Sequence, residues 1–381
     1  MKIGIMTFWW SEDNYGQLLQ CYALQKYLRN LGHDAYLIRY DPRNDYIKSF
    51  TWKRIIKAFN PLKLYRFSLG KIRKIVNMWE RNDNLRNFEG FRNKFINQSE
   101  RIYFSYKELV ENPPLADVYI VGSDQVWNTF GIPINKGINV FNAYLLNFGD
   151  SHVRRIAYAA SFGREEICKD LIEVFTPMLK KLDYVSVREM SGLEICRQCG
   201  INSAELVPDP SMLLGADIYR TLYRDENNIE KPNKPYCFLY LLGNEFDFSV
   251  QAIYEWARKE CIEVIYITGN LKRDKYIKTY VEIPAWIYLL EHAEYIITNS
   301  YHCTVFSLLY KKKFGVIPLS GKSMGMNSRF DTIFRLFGLE NRFIDADFSI
   351  LNKEINWLSV LNTFKDGINI CKLNRIIYGN A

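Results

Sequence analysis

Short apolar runs alternate along the chain with longer segments of helical period. The apolar runs fall at 2–8, 34–40, 116–121, 155–160, 184–187, 205–207, 236–242, 263–268, 295–298 and 314–318. Runs of this length, bounded by Gly, Asn, Asp or Pro, predict buried strands. After the first run, Leu18, Leu19, Tyr22, Ala23, Leu24 and Leu28 form one helical face that stops at Gly32. The same periodicity predicts helices at 165–181, from Glu189 to about 199, at 248–259, 284–292 and 302–312, and one or two more within 352–377. Residues 320–329 are rich in Gly and Ser and read as a mobile polar loop. Strand, turn, helix, strand is a βαβ unit, which requires a parallel sheet. Pro208-Asp209-Pro210 punctuates the end of a first domain, 1–215, and Lys231-Pro232-Asn233-Lys234-Pro235 reads as a linker to a second, 231–381. The expected architecture is α/β: two Rossmann-like domains facing each other across a cleft.

Length supports this division, since 381 residues exceed what one hydrophobic core commonly holds. Charge changes the picture in one place. Residues 48–94 carry 13 Lys and Arg against 3 Asp and Glu, or +10, while the whole chain carries +8. Trp52, Phe59, Phe67 and Trp79 interleave with these charges at helical spacing. Such a basic amphipathic insertion suits an anionic membrane surface; it equally suits an insertion whose apolar face docks on the body of the protein. The charge is confined to that segment and no recognition motif accompanies it, which argues against nucleic acid. No apolar run is long enough to span a membrane, and the chain opens directly on a strand, so a cytoplasmic location is expected. Cys196-Arg197-Gln198-Cys199 spells C-x-x-C but has no second ligand pair and sits at a helix end, which favours a structural role over zinc or redox chemistry.

Candidate chemistry gathers where strands run into helices. At 295–313 a strand is broken by Asn299-Ser300-Tyr301 before a helix begins, with Ser300 placed as its N-cap. His302 therefore stands at a strand's carboxyl end and a helix's amino end, where open α/β sheets bind ligands and helix N–H groups attract anions. A plain polar turn would look the same. Asn14-Tyr15-Gly16 makes a tight turn after the first strand, without the G-x-G-x-x-G of a dinucleotide site. Ser123, Asp124, Gln125 and Trp127 bunch after the strand at 116–121, Ser161 follows the next, and Arg188 ends the one after.

These stretches, as Asn14-Tyr15-Gly16, G-S-D-Q-V-W-N at 122–128, Y-A-A-S-F-G at 158–163, S-V-R-E at 186–189, D-P-S-M-L-L at 209–214 and T-N-S-Y-H at 298–302, resemble in kind and order the motifs of the polysaccharide pyruvyl transferases. The resemblance runs from the first strand to about residue 339. It implies a GT-B-like fold and transfer of pyruvate from phosphoenolpyruvate, as co-substrate and without further cofactor or metal, onto two sugar hydroxyls to give a cyclic ketal. It implies that Arg188 faces the donor's anionic groups and that His302 donates a proton or a hydrogen bond to phosphate; the chemistry would let Asp124 accept a proton from the attacking hydroxyl, and which of His302 and Asp124 is the acid stays open. Asn14, Gly16, Ser123, Gln125, Ser161, Asn299 and Ser300 would line the substrates. Other branches carry Arg where this chain has Ser300, so a second cation must come from elsewhere, with Lys322 and Arg329 as candidates. Trp127 and Trp9 offer rings for a sugar face, or belong to the core. The implied acceptor is a polyprenyl-diphosphate-linked oligosaccharide, which would bring the enzyme to the inner face of the membrane. Two other readings remain: a nucleotide-sugar glycosyltransferase, for which Asp345-Ala346-Asp347 spells a D-x-D, or a non-catalytic subunit of a polysaccharide assembly complex.

Overall fold

The computed structural model describes residues 1–11, 13–42, 44–45, 86–226, 228–244, 246–269, 274–344, 347–370 and 373–379. Two parallel sheets organise them. The first contains β1 (Lys2–Met6), β2 (Asp34–Tyr40), β3 (Gln98–Tyr103), β4 (Val118–Val121), β5 (Arg154–Ala160), β6 (Tyr184–Val187) and β7 (Glu205–Leu206), in the order β3-β2-β1-β4-β5-β6-β7. The second contains β8 (Tyr236–Tyr240), β9 (Glu263–Ile267), β10 (Tyr295–Thr298) and β11 (Lys313–Val316), in the order β11-β10-β8-β9. The central strands β4, β8 and β10 are buried at every position, as expected of parallel strands covered on both faces. Strand order reverses between β1 and β4, which places a topological switch point at their carboxyl ends.

The expected strands are all present, with shifted ends. The additional strand β3 reads Gln-Ser-Glu-Arg-Ile-Tyr and lies at the edge of the sheet, where only two of six residues are buried and polar side chains carry no burial signal. The mobile loop expected at 320–329 is instead a 3₁₀ segment, Gly321–Asn327, running into the helix Ser328–Leu336. The Asn327 amide fixes it by accepting from the Leu319 N–H and donating to the Leu319 carbonyl, each at 2.9 Å. Phe330, Ile333 and Phe334 supply its buried face.

The lobes share a core. Tyr15, at the start of the helix Tyr15–Asn30, stacks on Trp286 of the second lobe with centroids 5.4 Å apart, and its hydroxyl donates to the Val281 carbonyl at 2.7 Å. Leu18, Leu19 and Tyr22 belong to one apolar cluster with Phe238, Ile296 and Phe306. A continuous apolar interface of this kind fixes the walls of the cleft between the lobes. The tail reinforces it. After the helix Trp357–Ile370, the short helix Leu373–Ile377 buries Leu373, Ile376 and Ile377 against Ile3, Leu28 and Ile156 of the first sheet. The last helix is therefore packed against the first sheet.

Most of the basic segment, including Trp52, Phe59, Phe67 and Trp79, lies outside the described residues. Its described end docks on the body. Phe88 and Phe91 of the helix Phe88–Phe95 are buried in the shared cluster, Arg92 donates to the carbonyls of Trp9 and Ser11, and Lys94 pairs with Glu226 at 2.8 Å. Among the described residues no helix is long and apolar enough to cross a membrane.

Candidate active site

Two helix N-termini converge on the cleft. Asn14 caps the helix Tyr15–Asn30, its side-chain oxygen accepting from the Gly16 N–H at 3.1 Å. Ser300 caps the helix Tyr301–Leu309 of the opposite lobe, its hydroxyl accepting from the Cys303 N–H at 3.4 Å. The Ser300 cap expected from sequence is present. Between the two ends lies a cavity of about 520 Å³ whose walls include Asn14, Asp124, Gln125, Ser300, His302 and Arg329. First-turn N–H groups without intrahelical partners, together with the helix dipoles, make such a cavity receptive to an anion.

His302 joins the lobes chemically. Its Nε2 lies 3.4 Å from Arg188 Nη1 and 3.5 Å from Asp209 Oδ2. A protonated Nε2 pairs with Asp209 and an unprotonated one accepts from Arg188, so either state finds a partner. Nδ1 lies on the Gly16 side of the ring, and the residue as a whole lines the cleft. Asp209 is fully buried. One oxygen accepts from Ser123 Oγ at 2.7 Å and Arg188 Nη1 at 2.8 Å, the other from the Ser211 N–H at 2.9 Å and Ser211 Oγ. Burial alone would raise its carboxyl; His302, Arg188 and Ser211 more than offset that and hold it well below the usual carboxylate range.

Gly16 makes this junction possible. A Cβ there would come within 2.4 Å of His302 Nδ1 and 2.7 Å of its Cβ, so the ring as a whole would have to move. The Gly16→Ala variant is expected to displace the imidazole and to cost about 1–3 kcal/mol of stability, as overpacked sites do. Loss of the His302 ring environment in NMR spectra, together with lost turnover, checks this; a native His302 signal would contradict it.

Arg188 differs from its expected position as a donor anchor. Its side chain is 0% exposed and is engaged by carboxylates: Asp209 at 2.8 Å, Asp124 at 3.6 Å and Glu189 at 3.6 Å. Its guanidinium also lies over the Tyr301 ring at 4.4 Å. Among the described residues, the cation on the cleft wall is Arg329, whose Nε donates to the Met326 carbonyl at 3.0 Å. Burial and the neighbouring Arg188 charge bring Arg329 down to about 10, leaving it positive at neutral pH. Lys322 is exposed and belongs to an adjoining hollow.

Asp124 reaches the cleft from a left-handed backbone, φ 81°, and its Oδ2 has no hydrogen-bond partner among the described residues. Non-glycine residues held in that region concentrate at functional sites. Ser123 sits behind it, linking Asp209 and Arg188. Ser161 lies deeper, beside Glu189, whose carboxyl is raised by burial. Asn299 lines the cleft, but its amide is spent on both backbone groups of Leu242, at 2.6 and 2.9 Å. Trp127 is core, 1% exposed, packed on Phe162 with its indole N–H donated to the Tyr144 carbonyl; it presents no ring to a sugar. Trp9 donates its indole N–H to the Tyr40 carbonyl and lines a hollow on the far side of Asn14.

Asp209 and Tyr301 stand in motifs that resemble the family's, yet their spacing alone gives neither a role: Asp209 reads as part of a Pro-Asp-Pro turn and Tyr301 as part of the break between strand and helix. Cys196 and Cys199 are buried with thiols raised by burial, Cys196 to about 12, as structural cysteines are. Asp345 and Ala346 lie outside the described residues, and Asp347 caps the 3₁₀ turn Phe348–Asn352.

A family model of polysaccharide pyruvyl transferase matches residues 14–321. No match is found among curated proteins. Among solved structures, UDP-GlcNAc 2-epimerase from Methanocaldococcus jannaschii in complex with UDP-GlcNAc and UDP is 14% identical, covering 98% of this chain and 99% of its own, with a TM-score of 0.50. A second structure of the same archaeal epimerase is 13% identical with the same coverage and TM-score. This likeness shows the fold: GT-B-like, with two Rossmann-like domains.

Proposed function

The chain belongs to the polysaccharide pyruvyl transferase family, and from that premise we propose that it moves pyruvate from phosphoenolpyruvate onto two hydroxyls of one sugar in a lipid-linked polysaccharide unit. The observation that carries this reading is the His302 ring, held across the lobe boundary with Nε2 against Asp209 and Arg188, on the wall of an anion-receptive cleft.

The chemistry balances with the groups present. A proton from the His302 imidazole adds to the donor's methylene carbon, making it a methyl group, while a sugar hydroxyl bonds to the adjacent carbon and gives its proton to Asp124. The bond from that carbon to the phosphate oxygen then breaks, phosphate leaves with the electron pair, and the second hydroxyl closes the ketal. Of the two hydroxyl protons released, one replaces the proton spent on the methyl group and the other leaves with phosphate. Asp209 holds the imidazole by Nε2 and so fixes the orientation of the ring at the reacting atoms. Arg329 and the two helix ends meet the negative charge of the donor's phosphate and carboxylate.

Arg329→Ala is expected to weaken phosphoenolpyruvate binding by roughly 2–4 kcal/mol, seen as a raised donor KM or a lost calorimetric signal; unchanged binding would move the donor elsewhere. For an acceptor built on a membrane lipid, the +10 of residues 48–94 supplies a reversible contact, at about 1 kcal/mol per basic residue near an anionic surface. Pelleting with anionic liposomes at low salt and release at high salt is the expected result; no pelleting at low salt removes the membrane contact. The reaction itself is tested by acceptor-dependent phosphate release from phosphoenolpyruvate, which should persist in EDTA. Release of nucleotide from a nucleotide sugar, abolished by EDTA, would favour a glycosyltransferase instead.

A further inference from the structure

Beside the cleft lies a second hollow, of about 850 Å³. Gln125, Ser323 and Met326 line both, so a ligand in one extends naturally into the other. We propose that this hollow is a saccharide subsite, holding the acceptor sugar next to the one that receives pyruvate, with Phe130 as the ring on which that sugar stacks. The proposal rests on the function inferred above and names where its acceptor lies.

Phe130 is 57% exposed, although it follows closely on the buried Trp127. Its backbone is left-handed, φ 49°, a conformation that is a true outlier for a bulky residue. The surroundings enforce it. Asn128 Oδ1 accepts from the Phe130 N–H at 2.9 Å and from Arg164 Nη2 at 3.3 Å, and Asn128 Nδ2 donates to Gln125 Oε1 at 2.7 Å. Gly163 leaves room for that pair, because a Cβ there would approach Gln125 Oε1 to 2.4 Å. Phe8, which is buried, lies under the ring at 6.0 Å between centroids. An aromatic ring turned outward at the cost of backbone strain, its backbone held by Asn128, which Gln125 and Arg164 hold in turn, is a prepared platform rather than leftover core.

The chemistry of the hollow selects its ligand. Arg164 and Lys322 are matched by Glu165 and Glu166, so two positive charges face two negative ones. A polyanion would meet the carboxylates as well as the cations. A neutral polyol finds donors and acceptors for its hydroxyls, and Phe130 covers the apolar face of its ring. The same arrangement gives Lys322 a place on the acceptor side, away from the donor.

The test measures binding, independent of turnover. Neutral trisaccharides of galactose, glucose and mannose are titrated by calorimetry against the wild type, Phe130→Ala, Phe130→Tyr and, as a control, Tyr378→Ala. Tyr378 is also exposed but lies beside His33, at the opposite end of the first sheet. At least one trisaccharide should bind. Phe130→Ala should weaken it about tenfold, Phe130→Tyr should retain it within about twofold, and the control should leave it unchanged. Failure of every trisaccharide to bind, or unchanged affinity in Phe130→Ala, overturns the subsite. Binding of the expected kind without uptake of pyruvate would leave the subsite standing and remove the proposed reaction.

Discussion

Replacing His302 by alanine is expected to lower kcat by about 10²–10⁴, with donor affinity much less affected, because a group that moves a proton in the transition state contributes mainly there. The geometry gives a reason for expecting the upper part of that range. Nε2 is held by Asp209 and Arg188, and Gly16 packs against the Nδ1 side of the ring, so the imidazole has one fixed place on the cleft wall. Single-turnover rates and calorimetric titration with phosphoenolpyruvate separate the two effects. A variant that binds the donor poorly but turns over normally would make His302 a phosphate ligand rather than a proton carrier.

Arg188→Met is expected to destabilise the protein by about 3–5 kcal/mol, the usual consequence of removing one partner from a buried ion cluster. Asp209, Asp124 and Glu189 would be left facing one another without their common cation. A donor anchor at the cleft surface would behave differently, losing affinity while melting normally, so urea unfolding distinguishes the roles. The cluster also fixes a pH dependence. The Asp209 carboxyl lies below its usual range in the folded protein, so the unfolded chain binds that proton more tightly. Its contribution is complete above the ordinary carboxylate range, about pH 4, and is lost as pH falls through the lower folded value. Glu189 acts in the opposite sense: burial raises its carboxyl, and ionising it costs stability as pH rises from its ordinary range.

Much of the fold was legible because parallel strands buried on both faces are continuous apolar runs. Asp34–Tyr40, Tyr184–Val187 and Tyr295–Thr298 stand where the pattern places them. Edge strand β3 was not legible, since it buries too little to leave a pattern. At the candidate site, position along the chain points to His302, Asp124 and Asn14, which lie where strands hand over to helices and line the cleft. It did not reveal depth. Arg188 and Trp127 have the composition of ligand residues, and only tertiary packing shows that one is enclosed by carboxylates and the other by Phe162. Asp209 acquires its role through partners 21 and 86 positions away, contacts that no local spacing encodes.

The most direct measurement runs the reaction in deuterium oxide and weighs the product. Phosphoenolpyruvate and an oligosaccharide acceptor, incubated with the enzyme, should give the acceptor plus a single pyruvyl ketal, with one deuterium in its methyl group from solvent delivered through His302. The His302→Ala variant should form that product at a rate lower by about 10²–10⁴. Absence of a ketal with every acceptor, or a ketal formed at the wild-type rate by His302→Ala, would contradict the account.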